Sequence, residues 1–276
     1  MKLKEALKDV LSEEELKLAP RAFDIVGDVA IIEVPAELRK HRKKIAEAIK
    51  KTHPRLQTVC NKKGERSGDY RLSDLELILG KDTETEHTEF GGRFKTDVRK
   101  AYFSVRESTE RQRIAKMIKP GEKVLVMFSG VSPSPIIYAR FQPKVEKVYG
   151  IDMNPDAHRY AEQNVIINKV RDKVVPLLGD VRKVATSLKT KFDRITMPLP
   201  KGAHGFLDVA FSCIKNKGVI HFYHWDHEDK LYDGALEIIR KEAKKAKKKV
   251  KILDRRKILP YGPRIWKICV DFRVLD

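Results

Sequence analysis

Three places along the chain join an apolar run to residues that can hold a nucleoside. The run KVLVMF ends in the tight turn FSGVSPSP at 128–135, VEKVYGID ends in Asp152, and VVPLLGD ends in Asp180. In an open parallel sheet, ligands sit at the carboxyl ends of the strands, beside the point where strand order reverses. A carboxylate at Asp152 can there accept both hydroxyls of a ribose. Asp180, or the backbone N–H of Val181 after it, can meet the edge of an adenine and replace bonds that water would otherwise make. Each aspartate also reads as a helix cap or turn residue, and Asp152-Met153-Asn154-Pro155 is itself a good cap sequence. Taken in order, the turn, Asp152 and Asp180 point to an adenosyl cofactor. The glycines depart from the dinucleotide pattern G-x-G-x-x-G, since Gly130 is followed by Val131, Ser132 and Pro133, and this disfavours a dehydrogenase.

Those positions need a sheet with helices on both faces to hold them. From about residue 100 the pattern alternates strand and helix. The strand candidates are KVLVMF, VEKVYGID, VVPLLGD, FDRITMPLP, GVIHFYHW, KVKILDRRKIL and RIWKICVDFRVL, and PDAHRYAEQNVIINK and AHGFLDVAFSCIKNK read as helices. KVLVMF is apolar throughout, as a strand buried on both faces must be. The turn PYGP between the last two strands is too short for anything but antiparallel pairing. Seven strands, mainly parallel with an antiparallel last one, make the Rossmann-like class I AdoMet-dependent methyltransferase fold, an α/β architecture. Residues 1–100 read instead as a smaller α+β domain, with 101–276 as the methyltransferase-type domain. Its parts are a hairpin around Gly27-Asp28, a basic amphipathic helix over 36–51 opened by Pro35, a turn-rich NKKGERSGDY, and a hairpin around Gly91-Gly92.

The charge names the class of partner. The chain of 276 residues carries 58 Lys and Arg against 39 Asp and Glu, a formal net charge of +19. An excess this large attracts phosphate backbones by releasing their counterions. No run approaches the roughly 20 apolar residues of a membrane span, and the start lacks the apolar core of a secretory signal. Cys60, Cys213 and Cys269 are odd in number and far apart, so they fit a reducing, cytoplasmic setting rather than a zinc site or a disulfide scaffold. His204, His221, His224 and His227 lack the helical pairing of H-E-x-x-H and read as polar lining or surface; no metal is expected. The Lys-rich run at 241–251 reads as a solvated face that can also touch RNA phosphates.

Several segments together resemble a known family: FSVRESTERQRIA (103–115), VLVMFSGVSP, YGIDMNP, GDVRKVA, RITMPLPKGAHGFLD and YGPRIWKICVDFRV, with APRAFDIVGDVAIIEVP and GDYRLSDLELILG ahead of them. They look like the archaeal and eukaryotic tRNA (guanine-37-N1)-methyltransferases, which share their scaffold with the wybutosine-pathway aminocarboxypropyl transferases. The resemblance implies AdoMet as cofactor and a monomer acting on the anticodon stem-loop of tRNA, at the guanosine beside the anticodon. It implies that Glu110 is the general base and that Arg71 stands close to the reacting guanine. It places Ser104, Arg111, Phe128, Gly130, Asp152, Met153, Asp180, Val181 and Pro198 at the cofactor, and Tyr102, Arg106 and Lys201 at the RNA. Arg106 and the M-x-L-P-K sequence at 197–201 favour methyl transfer over aminocarboxypropyl transfer.

The implied roles suit the residue types. Guanine N1 carries a proton, so its methylation needs a base there and a cation to hold charge developing at O6. An anticodon-loop purine also costs less to extract from its stack than a duplex base. Read without the resemblance, Glu110 is a helix-surface partner of Arg113 or Arg106, and Phe103 is a core aromatic. Two departures from the family stand out: Pro198 replaces an asparagine and so lacks its donor, and Pro133 and Pro135 stiffen the cofactor turn. An N-terminal module of the longer family members is expected to be absent. Wybutosine-pathway chemistry, or tRNA binding without turnover, are the alternative readings.

Overall fold

Runs rich in valine and isoleucine form the strands, and glycines and prolines end them. The computed structural model describes residues 3–20, 22–64, 68, 70–199 and 202–276. The chain divides into two compact units, Met1–Val105 and Arg106–Asp276.

In the first unit, the short helices α1 (Leu3–Ala6) and α2 (Glu13–Leu18) precede a four-stranded sheet. The helix α2 opens on a capping box in which Ser12 and Glu15 exchange side-chain and backbone bonds. Strands β1 (Asp24–Val26) and β2 (Val29–Ile32) form the hairpin expected around Gly27-Asp28. The single helix expected over 36–51 is two pieces, a 3-10 stretch Ala36–His41 and α3 (Arg42–Thr52). The Arg42 N–H reaches back only to Arg39, so the first turns wind tighter, and Pro35 caps them rather than entering them. The helix buries Ile45, Ala46, Ala48 and Ile49, and it crosses over to β3 (Thr58–Lys62), which lies parallel to β2. Strand β4 (Leu75–Leu79) closes the sheet antiparallel to β3. The hairpin β5 (Glu84–Glu89) and β6 (Gly92–Asp97) turns over Phe90 and Gly91, one residue earlier than the glycine pair predicts. Glu89 pairs with Gly92, and both turn residues have positive φ (45° and 74°), as a two-residue type I′ turn demands.

The second unit opens with α4 (Ser108–Met117) and continues as β7 (Lys123–Met127), α5 (Pro133–Phe141), β8 (Lys147–Asp152), α6 (Pro155–Ile167), β9 (Val174–Leu178), α7 (Val181–Ser187) and β10 (Phe192–Met197). After them come α8 (Leu207–Cys213), β11 (Ile214–His227), α9 (Asp233–Lys245), β12 (Lys249–Gly262) and β13 (Ile265–Leu275). The sheet order is β12-β13-β11-β10-β7-β8-β9. Strands β7 to β11 pair in parallel, and β13 runs antiparallel between β11 and β12. The helix expected to run from 203 through 217 stops at Cys213, and the following residues join β11. Lys217 turns into the left-handed region there (φ 63°), and the register shifts between Phe192 and Arg194. Leu125, Ile195, Ile220, Phe222, Ile239 and Phe272 form the dry centre of this unit, each contributing about 1.5–3 kcal/mol by burial.

Candidate active site

The order reverses between β7 and β10, and a ligand belongs at the carboxyl ends of β7, β8 and β9. The chain leaves β7 in a contorted turn, with positive φ at Phe128 (59°), Gly130 (55°) and Ser132 (65°). Such left-handed residues outside glycine cost about 1–2 kcal/mol each, so the surrounding structure must hold them. The hold is visible. Ser129 N–H donates to the Ile151 carbonyl at 2.9 Å, and buried Asn164 donates from Nδ2 to the Val131 carbonyl at 3.0 Å. Gly150 lets the turn lie against β8, because a Cβ there would sit 2.9 Å from Pro135 Cγ and 3.0 Å from Ser129 Oγ.

Asp152, the last residue of β8, accepts the Gly130 N–H at Oδ2 (2.7 Å) and the Asn154 N–H at Oδ1 (3.0 Å). Burial raises its carboxyl above the ordinary range, against the pull of these backbone N–H groups. A carboxylate has about four lone-pair sites, so this one keeps acceptor capacity for the two hydroxyls of a ribose. Asp180 caps α7 by accepting the Arg182 N–H at 2.7 Å, which sets the first turn of that helix, with Val181, at the end of β9. Phe128 packs edge-on against Phe206 with centroids 4.9 Å apart, and Met153 is exposed at the end of β8. Acceptor, helix N-terminus and apolar wall are the groups an adenosyl ligand needs, and these residues fit it.

The other end of the unit is held by charge. Glu110, on α4, is 6% exposed, so the pairing with Arg113 that its spacing predicts forms in the interior and not on the surface. Arg113 grips it with two bonds, Nε to Oε2 (2.8 Å) and Nη2 to Oε1 (2.7 Å), and the Tyr223 hydroxyl donates to Oε1 at 2.5 Å. Arg113 also donates to Asp271 (Nη1 to Oδ2, 2.6 Å), and Asp271 meets His221 Nδ1 at 2.6 Å. Arg194 donates from Nη1 to His221 Nε2 at 2.8 Å and clasps both oxygens of Glu122. A guanidinium only donates, so Nε2 accepts and the single ring proton lies on Nδ1, facing Asp271. Burial lowers the His221 pKa, against the pull of Asp271, and the ring is neutral. Asp271 is held well below the usual carboxylate range: burial opposes this, and His221 and Arg113 outweigh it. Arg113 keeps its charge because its carboxylate partners outweigh its burial.

His221, expected as lining or surface, is fully buried; His204 and His227 are exposed and His224 is half-buried. Among the described residues, His221, Cys269 and Asp271 bring potential metal-ligand atoms within 4.8 Å of one another. Arg113 donates to both Cys269 and Asp271, and Arg194 to His221, so two guanidinium groups occupy the space a cation would need. Burial pushes the Cys269 thiol well up, which keeps it protonated.

Arg111 is buried on α4, and Arg106, ahead of it, is exposed. Pro198 follows β10, and its carbonyl accepts from Lys267 Nζ at 3.2 Å. Lys267 is 2% exposed, pairs with Glu107 at 2.8 Å and lies 5.1 Å from the centre of the Tyr223 ring. Arg71, Tyr102 and Ser104 belong to the first unit. Arg71 has positive φ (53°), Tyr102 is exposed, and Phe103 is buried against Phe94 and His87, as a core aromatic. Lys201 lies outside the described residues. Sequence reasoning missed Tyr223, Asp271, Arg194, Glu122 and Lys267, because isolated polar residues inside apolar strands carry no spacing signal. Gly150 carried one, a lone glycine within a strand, which marks a close approach.

Strand order, antiparallel β13 and the acidic end of β8 define the class as a class I AdoMet-dependent methyltransferase. Comparison with known proteins narrows this. The family described as TRM5/TYW2 methyltransferase domain matches residues 85–253, and the TYW2 N-terminal domain matches residues 3–83. The chain belongs to the TRM5/TYW2 family. It is 45% identical over 263 residues to the tRNA (guanine(37)-N(1))-methyltransferase Trm5b of Pyrococcus abyssi, covering 95% of this chain and 77% of that protein. It superposes with a TM-score of 0.88 on the structure of the complex of aTrm5 and tRNALeu, at 34% identity, covering 100% of this chain and 78% of that one. With TYW2 of P. horikoshii in complex with MeSAdo, the TM-score is 0.83 at 30% identity, covering 99% and 98% of the two chains. No helix among the described residues is long and apolar enough to cross a membrane.

Proposed function

We propose that this chain methylates N1 of guanosine 37 in tRNA, using AdoMet. The observation that carries the reading is the Glu110 carboxylate, buried on α4 in the unit whose sheet ends form the adenosyl shelf. Similarity to Trm5b across 95% of the chain supports it. The bound sulfonium supplies an activated methyl group: the N1–CH3 bond forms as the S–CH3 bond breaks, its electron pair staying on sulfur. Glu110 takes the N1 proton, and Arg71 holds the negative charge developing at O6. Asp152 holds the ribose, and the Asp180–Val181 helix start meets the adenine, so that much of the rate comes from positioning. Ser104, Arg111, Phe128, Gly130, Met153 and Pro198 complete the cofactor wall. Tyr102, Arg106 and Lys201 contact the anticodon stem-loop, and the first unit contributes to RNA binding. The enzyme works as a cytoplasmic monomer and needs no metal.

A second reading is aminocarboxypropyl transfer to a modified guanosine at the same position. It is favoured by the TYW2 N-terminal match over residues 3–83 and by Pro198 in place of the family asparagine. One experiment separates the two. Unmodified tRNA and, in parallel, tRNA already carrying a tricyclic modified guanosine at position 37 are incubated with enzyme and methyl-labelled AdoMet, and their nucleosides are resolved by mass spectrometry. Label in 1-methylguanosine is the expected result. A new modification without the methyl label on the tricyclic substrate means aminocarboxypropyl transfer, and binding with neither RNA changed means a non-catalytic binder.

A further inference from the structure

The two oxygens of Glu110 have different surroundings. Oε1 accepts twice, from the Tyr223 hydroxyl and from Arg113 Nη2. Oε2 accepts once, from Arg113 Nε, and so keeps a lone pair. The groups around the carboxylate come from four elements. Arg111 and Arg113 share its helix, and Tyr138 lies on α5. Tyr223 and His221 come from β11, and Cys269 and Asp271 from β13. The tyrosines and the thiol are buried and neutral, so among the described residues the only cation bonded to the carboxylate is Arg113. Arg113 cannot swing away, because Asp271, neutral His221, Arg194 and Glu122 tie it through the sheet.

We propose that Tyr223 and Arg113 are positioning residues for Glu110: they commit Oε1 to the fold and leave Oε2 as the oxygen that receives the guanine N1 proton. This rests on the reading of Glu110 as the base. Both partners are donors, and their bonds fix the orientation of the carboxylate. At Oε2 the proton acceptor is a fixed lone pair rather than a rotating group.

The test is the pH dependence of methyl transfer to tRNA by the full chain, comparing the unmodified protein with Tyr223→Phe and Glu110→Gln. Removing one hydrogen bond to a buried carboxylate should move the acidic limb of kcat/KM up by about one pH unit. The rate that Tyr223→Phe loses at about pH 6 should then be largely regained at about pH 8.5. A purely structural role would lower the rate by one factor at every pH, and an unmoved limb in a folded, AdoMet-binding Tyr223→Phe overturns the proposal. Glu110→Gln is expected to lose most turnover. Should it keep full turnover, the base reading falls and the proposal with it; a slow Glu110→Gln beside an unmoved Tyr223→Phe limb removes the proposal alone. If Tyr223→Phe does not fold, Arg113→Lys keeps the cation without the two-point grip, and the same upward movement of the limb is required of it.

Discussion

The second unit holds the two ends of its site by opposite means. At the ends of β7, β8 and β9 the holding groups are largely backbone: the amides of Gly130 and Asn154 on Asp152, and a turn with alternate residues in the left-handed region. Around α4, β11 and β13 they are side-chain charges in a dry interior, Glu110, Arg113, Asp271, Arg194 and Glu122, joined through His221. A shelf made of amides can present a half-exposed carboxylate to a ligand with little dependence on its neighbours' identities. A chain of buried charges depends on every member, because removing one leaves its partner unpaired where water cannot reach. Substitutions of the same chemical size should therefore act differently at the two ends.

The largest expected effect is on the charged side. Asp271→Asn leaves Arg113 with one carboxylate partner and turns one of the two oxygens that serve Arg113 and His221 into a donor, and should destabilise the fold by about 3 kcal/mol in urea denaturation. A loss below about 1 kcal/mol would mean that the chain of charges is not cooperative. Next comes Asp152→Asn on the shelf. It should weaken AdoMet binding about tenfold or more, read by calorimetry, while moving the unfolding midpoint much less than Asp271→Asn does. Equal losses of stability at the two positions would erase the contrast.

Acid should distinguish the ends as well. Burial, the leading cause, lowers the pKa of both His221 and His224 from 6.5, so the folded protein prefers them neutral. As pH falls through about 6.5 the unfolded chain binds those protons first, and stability, whole above that pH, declines below it by up to about 1.4 kcal/mol per pH unit for each histidine. His221→Gln should be less stable at neutral pH but show a shallower decline toward pH 5; an unchanged slope in thermal melts would take His221 out of the account. The smallest effect belongs to the turn after β7. Ser132 has positive φ and a buried hydroxyl without a partner among the described residues, so Ser132→Gly should be neutral or stabilising by about 1 kcal/mol. A clear loss of stability would show that the turn is not strained there.

The contrast also explains what could be read in advance. Asp152 and Asp180 were legible because a strand end is a place in sequence: an apolar run stops, a turn follows, and the ligand position comes with the topology. The strand that runs antiparallel was legible for the same reason, being a consequence of turn length. Local conformation was less so. Phe90 in a type I′ turn, the 3-10 start before α3 and the early end of α8 each follow from pairing and packing that arise only in the folded chain.

The sequence by itself determined the class of fold, the strand ends proposed to seat the cofactor and, through TERQR, the residue proposed as the base, since each is written in a contiguous stretch. Only the tertiary structure decided what that carboxylate touches. Glu110, Tyr223 and Asp271 are 113 and 48 residues apart in turn, with nothing between them to signal a meeting. They meet because β13 runs antiparallel beside β11 and α4 lies close to both. The low dielectric of that interior then forces every charge brought there to find a partner.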